Sequence, residues 1–153
     1  MELTDRFVAV KDVSVRRQSN RSFFPHQAVT RKGVKRDAMI LAAPVAVRAS
    51  LEGIVGGVEL RGFVTPVFKV GDGIQMDVLL TSPTLATRIY SQYYDAGRRA
   101  EDRDWMPLAI RMDLSDTKDQ WLEIRASAGP QGDLTADWLA LSSLSILVQP
   151  RRN

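Results

Sequence analysis

Apolar residues recur at every second position along most of this chain, whereas helical periodicity is weak almost everywhere. The clearest run is residues 106–112, where Met106, Leu108, Ile110 and Met112 alternate with other side chains. Successive residues of a β-strand point to opposite faces of a sheet, so this pattern predicts strands that bury one face.

The same pattern predicts further strands, and turn-forming residues separate them. Residues 45–51 and 58–64 alternate on either side of a glycine-containing turn, which predicts a hairpin with one face in the core. The polar run Ser19-Asn20-Arg21-Ser22 and the pair Phe24-Pro25 predict a loop. The other predicted strands cover residues 7–15, 37–43, 74–80, 85–94, 106–112, 122–126 and 138–148.

About eight strands with short turns and little helix predict an all-β fold. The spacing of the turns favours a two-sheet antiparallel β-sandwich of the jelly-roll type over a simple meander. No βαβ alternation is present, which disfavours a doubly wound nucleotide-binding fold. A length of 153 residues predicts one β-sandwich domain over residues 1–153, with the basic segment 1–36 as a first strand plus loop.

Composition narrows the chemistry. The chain has no cysteine, which excludes disulfides and thiolate metal sites, and its single histidine, His26, excludes multi-histidine metal sites. A Ser-His-Asp triad is disfavoured on the same ground. No apolar run reaches the ~20 residues of a membrane helix. The first six residues have no basic leader before an apolar block, so we expect no signal peptide in this chain, and localisation stays open.

The charge is unevenly distributed. Residues 1–36 contain nine Lys/Arg and three Asp/Glu, although the whole chain carries only +3. A basic segment is a common feature of nucleic-acid binding. Here the basic residues form pairs, Arg16-Arg17 and Lys35-Arg36, and no recognition helix follows them. We therefore predict that nucleic acid is not the partner.

Several segments in the second half of the chain together resemble a known group of domains. They are residues 71–78 (GDGIQMDV), 105–115 (WMPLAIRMDLS), 121–124 (WLEI), Gly132-Asp133 and 136–138 (ADW). In this order they resemble the carbohydrate-binding-like jelly rolls, the galactose-binding-like domains that include the NPCBM type. The resemblance covers roughly residues 38–148. It implies a jelly-roll fold and an association with glycosidases and other glycan-processing proteins.

Candidate ligand-binding residues are found by asking which strand residues point away from the core. Trp121 shares a face with Glu123 and Arg125, whereas Trp105 and Trp138 read as packing residues, Trp138 at the end of the core. An aromatic ring matches the apolar face of a sugar.

Four arginines occupy strand positions that point away from the core, and they could cluster on one sheet surface: Arg48, Arg61, Arg111 and Arg125. Tyr93 and Arg88 lie in the adjoining aromatic segment. The predicted ligand-binding residues are Trp121, Arg125, Arg111, Tyr93 and Arg88. An ordinary solvated sheet face with cross-strand ion pairs is the alternative interpretation.

We predict no metal site and no required cofactor. Domains of the kind this chain resembles often hold a structural calcium ion, for which Asp72, Asp77, Asp113, Asp116 and Asp119 are the candidates, although their spacing is not that of an EF-hand.

The leading functional hypothesis is a non-catalytic β-sandwich module, not an enzyme, that binds a glycan or positions a glycan-processing partner. The alternative is an assembly module that makes protein–protein contacts in an oligomer or larger complex, with the basic N-terminal segment laid across an acidic neighbour.

Overall fold

The computed structural model describes residues 1–10, 22–69, 72–115, 118–129 and 137–149. Part of the predicted strand at residues 7–15, the pair Arg16-Arg17 and Asp116 lie outside these ranges. The ten strands are β1 (Val8–Ala9), β2 (Phe23–Arg31), β3 (Val34–Ala42), β4 (Val45–Ser50), β5 (Gly56–Pro66), β6 (Ile74–Thr81), β7 (Ala86–Tyr94), β8 (Met106–Leu114), β9 (Trp121–Ala128) and β10 (Trp138–Val148). Two short 3-10 helices, Thr4–Arg6 and Ala100–Arg103, are the helical elements of the described residues.

The strands form two antiparallel five-stranded sheets. The first sheet has the order β1-β4-β9-β6-β7, and the second has the order β2-β3-β10-β5-β8. The predicted β-sandwich is therefore confirmed, with ten strands in the described ranges rather than about eight.

The additional strand that the sequence pattern missed is β2, which includes Phe24 and Pro25 of the predicted loop. It is an edge strand, and its register with β3 shifts between Phe24 and Gln27. Proline is tolerated at an edge or a bulge because no ladder hydrogen bond is lost there. Most of β2 is exposed, so it has no alternating pattern to detect.

The predicted hairpin of residues 45–51 and 58–64 is wrong. Strand β4 pairs with β1 and β9 in the first sheet, whereas β5 pairs with β10 and β8 in the second. The connection between β4 and β5 therefore crosses from one sheet to the other. Alternation identifies the buried face of each strand, but it contains no information about the pairing partner.

The core lies between the two sheets, and the alternating positions line it as predicted. Leu60, Val78 and Ile124 are fully buried, and Leu108 is 3% exposed. Burial of apolar side chains of this size is the dominant stabilising contribution of such a sandwich.

The outer face of the second sheet carries a smaller apolar cluster. Val29, Ala38, Ile40, Trp105 and Ala140 are buried there. Trp105 is thus a packing residue, as predicted, and its indole Nε1 donates to the carbonyl of Val34 at 3.1 Å. Trp138 does not fill the end of the main core. It is half-buried in this outer cluster, where it stacks on Phe24 with ring centroids 5.4 Å apart.

Candidate functional site

Four of the five predicted ligand-binding residues lie on the outer face of the first sheet. Strand β9 alternates between the core and this face, so Leu122, Ile124 and Ala126 are buried in the core while Trp121 and Arg125 point outward. Tyr93 and Arg88 reach the same face from β7. We call this surface the tryptophan face. It is formed by Arg48 of β4, Gln75 and Asp77 of β6, Arg88, Ser91 and Tyr93 of β7, and Trp121, Glu123 and Arg125 of β9.

Trp121 is half-buried, and its ring carries a cation on one side. The guanidinium carbon of Arg48 lies 4.2 Å from the ring centroid. Strands β4 and β9 are adjacent, with Ser50 opposite Trp121 and Arg48 opposite Glu123, so the contact is a diagonal cross-strand pair. Such a cation–π contact orients the indole and leaves a polar group beside it.

Arg125 is held by the carboxylate of Glu123, which lies between it and Trp121 on the same face of β9. Its Nε donates to Glu123 Oε2 at 2.5 Å, and the side chain remains half exposed while that of Glu123 is almost buried. The salt bridge thus fixes the orientation of a half-exposed guanidinium, whose remaining N–H groups can donate hydrogen bonds.

A hydrogen-bond network extends the face toward β7. Asp77 Oδ1 accepts from Ser91 Oγ at 2.6 Å, and Gln75 Nε2 donates to the same serine oxygen at 2.7 Å. Arg88 Nε lies 3.9 Å from Asp77 Oδ1, and its side chain is largely exposed. A register shift between Val78 and Leu79 aligns Arg88 with Leu79, which brings the arginine onto this face.

Tyr93 is anchored at the far end of the face. Its hydroxyl donates to the backbone carbonyl of Asp72 and lies 3.1 Å from Asp95 Oδ2. Burial raises the pKa of the Tyr93 hydroxyl, and the hydrogen bond to Asp95 raises it further. Arg99 lies over the ring, 5.2 Å from its centroid. The hydroxyl is thus engaged within the protein, and the ring is the part that a ligand could contact.

Arg111 is placed elsewhere. It lies on β8, at the edge of the second sheet, where its Nε is 3.4 Å from Glu59 Oε2. Arg61 binds the other oxygen of the same carboxylate. The hydrogen bond from Arg61, supported by Arg111, lowers the pKa of Glu59. The expected clustering of four arginines is therefore wrong, because Arg48 and Arg125 belong to one sheet and Arg61 and Arg111 to the other.

Three of the candidate calcium ligands, Asp77, Asp113 and Asp119, lie on different elements of the structure. Asp77 belongs to the tryptophan face, Asp113 lies on the outer side of β8, and Asp119 lies in the turn before β9. Within the described ranges, no group of three or more His, Cys, Asp or Glu side chains could hold a metal ion. In the same ranges, no helix is long and apolar enough to cross a membrane.

The alternation pattern in the sequence did not reveal two parts of the polar surface. Ser91, which connects Gln75 and Asp77, gave no signal because a lone serine in a strand is unremarkable in sequence. A basic cleft formed by Arg31, Lys32, Lys69 and Arg103 was also missed. Its residues come from three parts of the chain that are distant in sequence, so no local pattern brings them together.

Comparison with known proteins identifies the fold. No protein-family model matches the sequence, and the curated proteins contain no significant match. Among solved structures, the chain is similar to a carbohydrate-binding module, the CBM51 of Clostridium perfringens GH95 in complex with methyl-galactose, with a TM-score of 0.54 at 14% identity over 80% of each chain.

Two xylanase modules are also similar. The CBM22-1–GH10 modules of Clostridium thermocellum Xyn10B, complexed with xylohexaose, match with a TM-score of 0.57 at 13% identity, over 98% of this chain but 27% of that one. The CBM22-1 xylan-binding domain of Paenibacillus barcinonensis Xyn10C matches with a TM-score of 0.54 at 10% identity, over 92% and 83% of the two chains. This chain therefore has the β-sandwich fold of carbohydrate-binding modules, as the resemblance in its sequence implied.

Proposed function

We propose that this protein is a non-catalytic β-sandwich module that binds a glycan on the tryptophan face. The observation that carries the proposal is that Trp121, Arg125, Arg88 and Tyr93 all lie on the outer face of one sheet. Fold similarity to carbohydrate-binding modules supports it. Arg111 is excluded from this site because it lies on the other sheet.

The chemistry of the face suits a sugar. The Trp121 and Tyr93 rings offer apolar surfaces for the C–H faces of pyranose rings. Between them lie charged and amide groups that can donate to and accept from hydroxyls: Arg88, Arg125, Asp77 and Gln75. These groups already bond to one another, so a ligand would exchange some of these bonds and bound water for its own.

The dimensions of the face favour an oligosaccharide. Tyr93 pairs with Gln75, which pairs with Ser127 of β9. Since Trp121 lies six residues before Ser127 on that strand, the two aromatic residues are separated by about 20 Å along the sheet. A single sugar could contact one ring or the other, whereas a chain of several sugars could contact both.

We further propose that glycan binding positions a glycan-processing partner. A covalent arrangement of this kind is present in the Xyn10B structure, which contains CBM22-1 and GH10 modules together. The proposal assigns recognition alone to this chain.

A glycan array followed by calorimetric titration of the best ligand tests the proposal. We expect Trp121→Ala to weaken binding by about tenfold or more, since removing an aromatic ring on which a ligand ring stacks costs ~1–3 kcal/mol at nucleic-acid base-stacking sites. Arg111→Gln is the matched control, because it removes a charged side chain from the other sheet and should leave binding unchanged. Absence of binding to any glycan of a broad panel, with and without calcium, would overturn the proposal.

The assembly alternative stays a prediction. Light scattering of the same purified protein separates it from glycan recognition, because a strict monomer that binds glycan is expected from the first hypothesis and a defined oligomer from the second.

A further inference from the structure

A cleft of about 730 Å³ opens at one end of the sandwich and shares no residue with the tryptophan face. Three connections form it: the turn between β2 and β3, the segment after β5, and the connection between β7 and β8. Its charged lining residues are all cationic, namely Arg31, Lys32, Lys69 and Arg103, and none of the described lining residues is acidic.

The Arg31 guanidinium is fixed by neutral partners. Its Nη2 donates to the carbonyls of Pro66 at 2.9 Å and Val67 at 2.6 Å, and its Nη1 donates to the carbonyl of Thr30 at 2.8 Å. Burial lowers the pKa of Arg31, the sign of a cation that has lost water without gaining an anion. An arginine nevertheless stays protonated.

Arg103 is held in the same way. Its Nε donates to the carbonyl of Ala96 at 2.6 Å and its Nη2 to that of Gly97 at 3.1 Å. Carbonyl oxygens orient both guanidinium groups but cannot neutralise them. The two arginines are therefore preorganised cations that face a common cavity.

Nearby carboxylates compensate this charge only in part. Lys32 Nζ lies 3.6 Å from Asp104 Oδ2, a largely exposed pair that solvent screens. On the same connection, Asp95 pairs with Arg98 and Asp102 with Arg99, each at 3.8 Å. These acidic groups thus balance other arginines, and the cleft retains a surplus of positive charge.

An aromatic side chain completes the cleft. Phe68 is 41% exposed and packs its edge against Trp138, with ring centroids 5.4 Å apart. An exposed ring beside oriented cations matches a sugar ring that carries an anionic substituent, because the ring can stack while the substituent pairs with the cations.

We propose that this cleft is a second binding site, specific for an acidic saccharide, a sugar that carries a carboxylate or a sulfate group. The anionic group lies among Arg31, Arg103 and Lys69, and the sugar ring lies on Phe68. This site goes beyond the glycan site of the tryptophan face and does not depend on it.

Calorimetric titration with charged and neutral forms of one sugar tests the proposal. The probes are an oligogalacturonate, the same oligomer fully methyl-esterified, and a chondroitin sulfate tetrasaccharide. We expect one or both charged probes to bind, with an affinity that falls as salt rises. The esterified oligomer should bind at least about tenfold more weakly, the loss typical of a hydrogen bond to a charged group.

Variants locate the binding. Lys69→Gln removes an exposed cation and should weaken the charged probe by about tenfold. Lys118→Gln makes the same charge change at the opposite end of β8, in the turn before β9, and should have no effect. Trp121→Ala should also have no effect, which separates this site from the tryptophan face.

Three outcomes would overturn the proposal. The first is the failure of both charged probes to bind. The second is binding that is unchanged in Lys69→Gln. The third is equal, Lys69-dependent affinity for inorganic sulfate or a short DNA oligonucleotide, which would show an anion site without selectivity for a sugar.

Discussion

His26, the single histidine, lies between two carboxylates on the surface. Its Nε2 is 2.8 Å from Asp5 Oδ1 and its Nδ1 is 2.8 Å from Asp37 Oδ2. Lys35 and Glu2 line the same shallow pocket. The hydrogen bond to Asp37 is the largest cause of a pKa raised above 6.5, because the protonated ring can donate to both acids.

The raised pKa of His26 determines how its contribution to stability changes with pH. The stabilisation from protonated His26 is fully present below about pH 6.5, its unfolded value, and is lost as pH rises through the folded-state pKa. We therefore expect His26→Gln to lower the free energy of unfolding more at about pH 5.5 than at about pH 8.5. Urea unfolding of both proteins at both pH values measures this, and an equal loss at the two pH values contradicts it.

The alternation of inward and outward residues along each strand predicted which side chains of the candidate site point away from the core. It did not predict which of those side chains lie on the same sheet. The alternation of β9 correctly separated Trp121 and Arg125 from the core. The same reasoning failed to distinguish Arg125 from Arg111, because both point outward from their own sheets. Two outward-pointing residues share a surface only if their strands belong to the same sheet. The residue and its sequence neighbours do not show to which sheet a strand belongs.

At the scale of the strands, β5 and β10 meet at an irregularity that Gly62 accommodates. The register between them shifts between Ser142 and Ser145, and Ser143 has a positive φ of 54°. A Cβ at Gly62 would lie 2.6 Å from Leu144 Cδ2 and 2.9 Å from the Ser142 carbonyl oxygen. The absence of a side chain at Gly62 thus permits the bulged strand to approach closely.

Two alanine substitutions on the same strand test this. We expect Gly62→Ala to destabilise the protein by about 1–3 kcal/mol through overpacking. Gly57→Ala is the control, since its Cβ would have its nearest contact at an ordinary 3.5 Å. Chemical denaturation of both variants measures the difference. Equal stability of the two would show that the bulge relaxes without strain.

Sequence predicted the strands better than their partners. Strands with one face in the core, such as β6, β8 and β9, show an alternation that reflects burial directly. The exposed edge strand β2 lacks that signal. The β4–β5 connection was misassigned because a glycine-rich turn between two alternating runs is compatible both with a hairpin and with a crossing between sheets.

At the scale of the whole molecule, the N-terminal residues close the sandwich. The chain nitrogen of Met1 donates to the carbonyl of Ile146 at 2.9 Å, and the Leu3 amide donates to that of Leu144 at 2.8 Å. Leu3 is fully buried and Phe7 is 5% exposed within the main core. Residues 1–10 thus pack against the body of their own chain, although they belong to the basic segment that composition singled out.

This packing makes the first residues part of the stability of the whole domain. Leu3→Ala should lower the free energy of unfolding by about 2–5 kcal/mol, the range for a large side chain removed from a close-packed core. Val8→Ala, at a position 51% exposed on β1, should cost much less. Thermal and urea unfolding of both variants compare them. A Leu3→Ala protein as stable as Val8→Ala would mean that the N-terminal segment does not stabilise the core. That result would favour the alternative hypothesis, in which this segment contacts a neighbouring molecule.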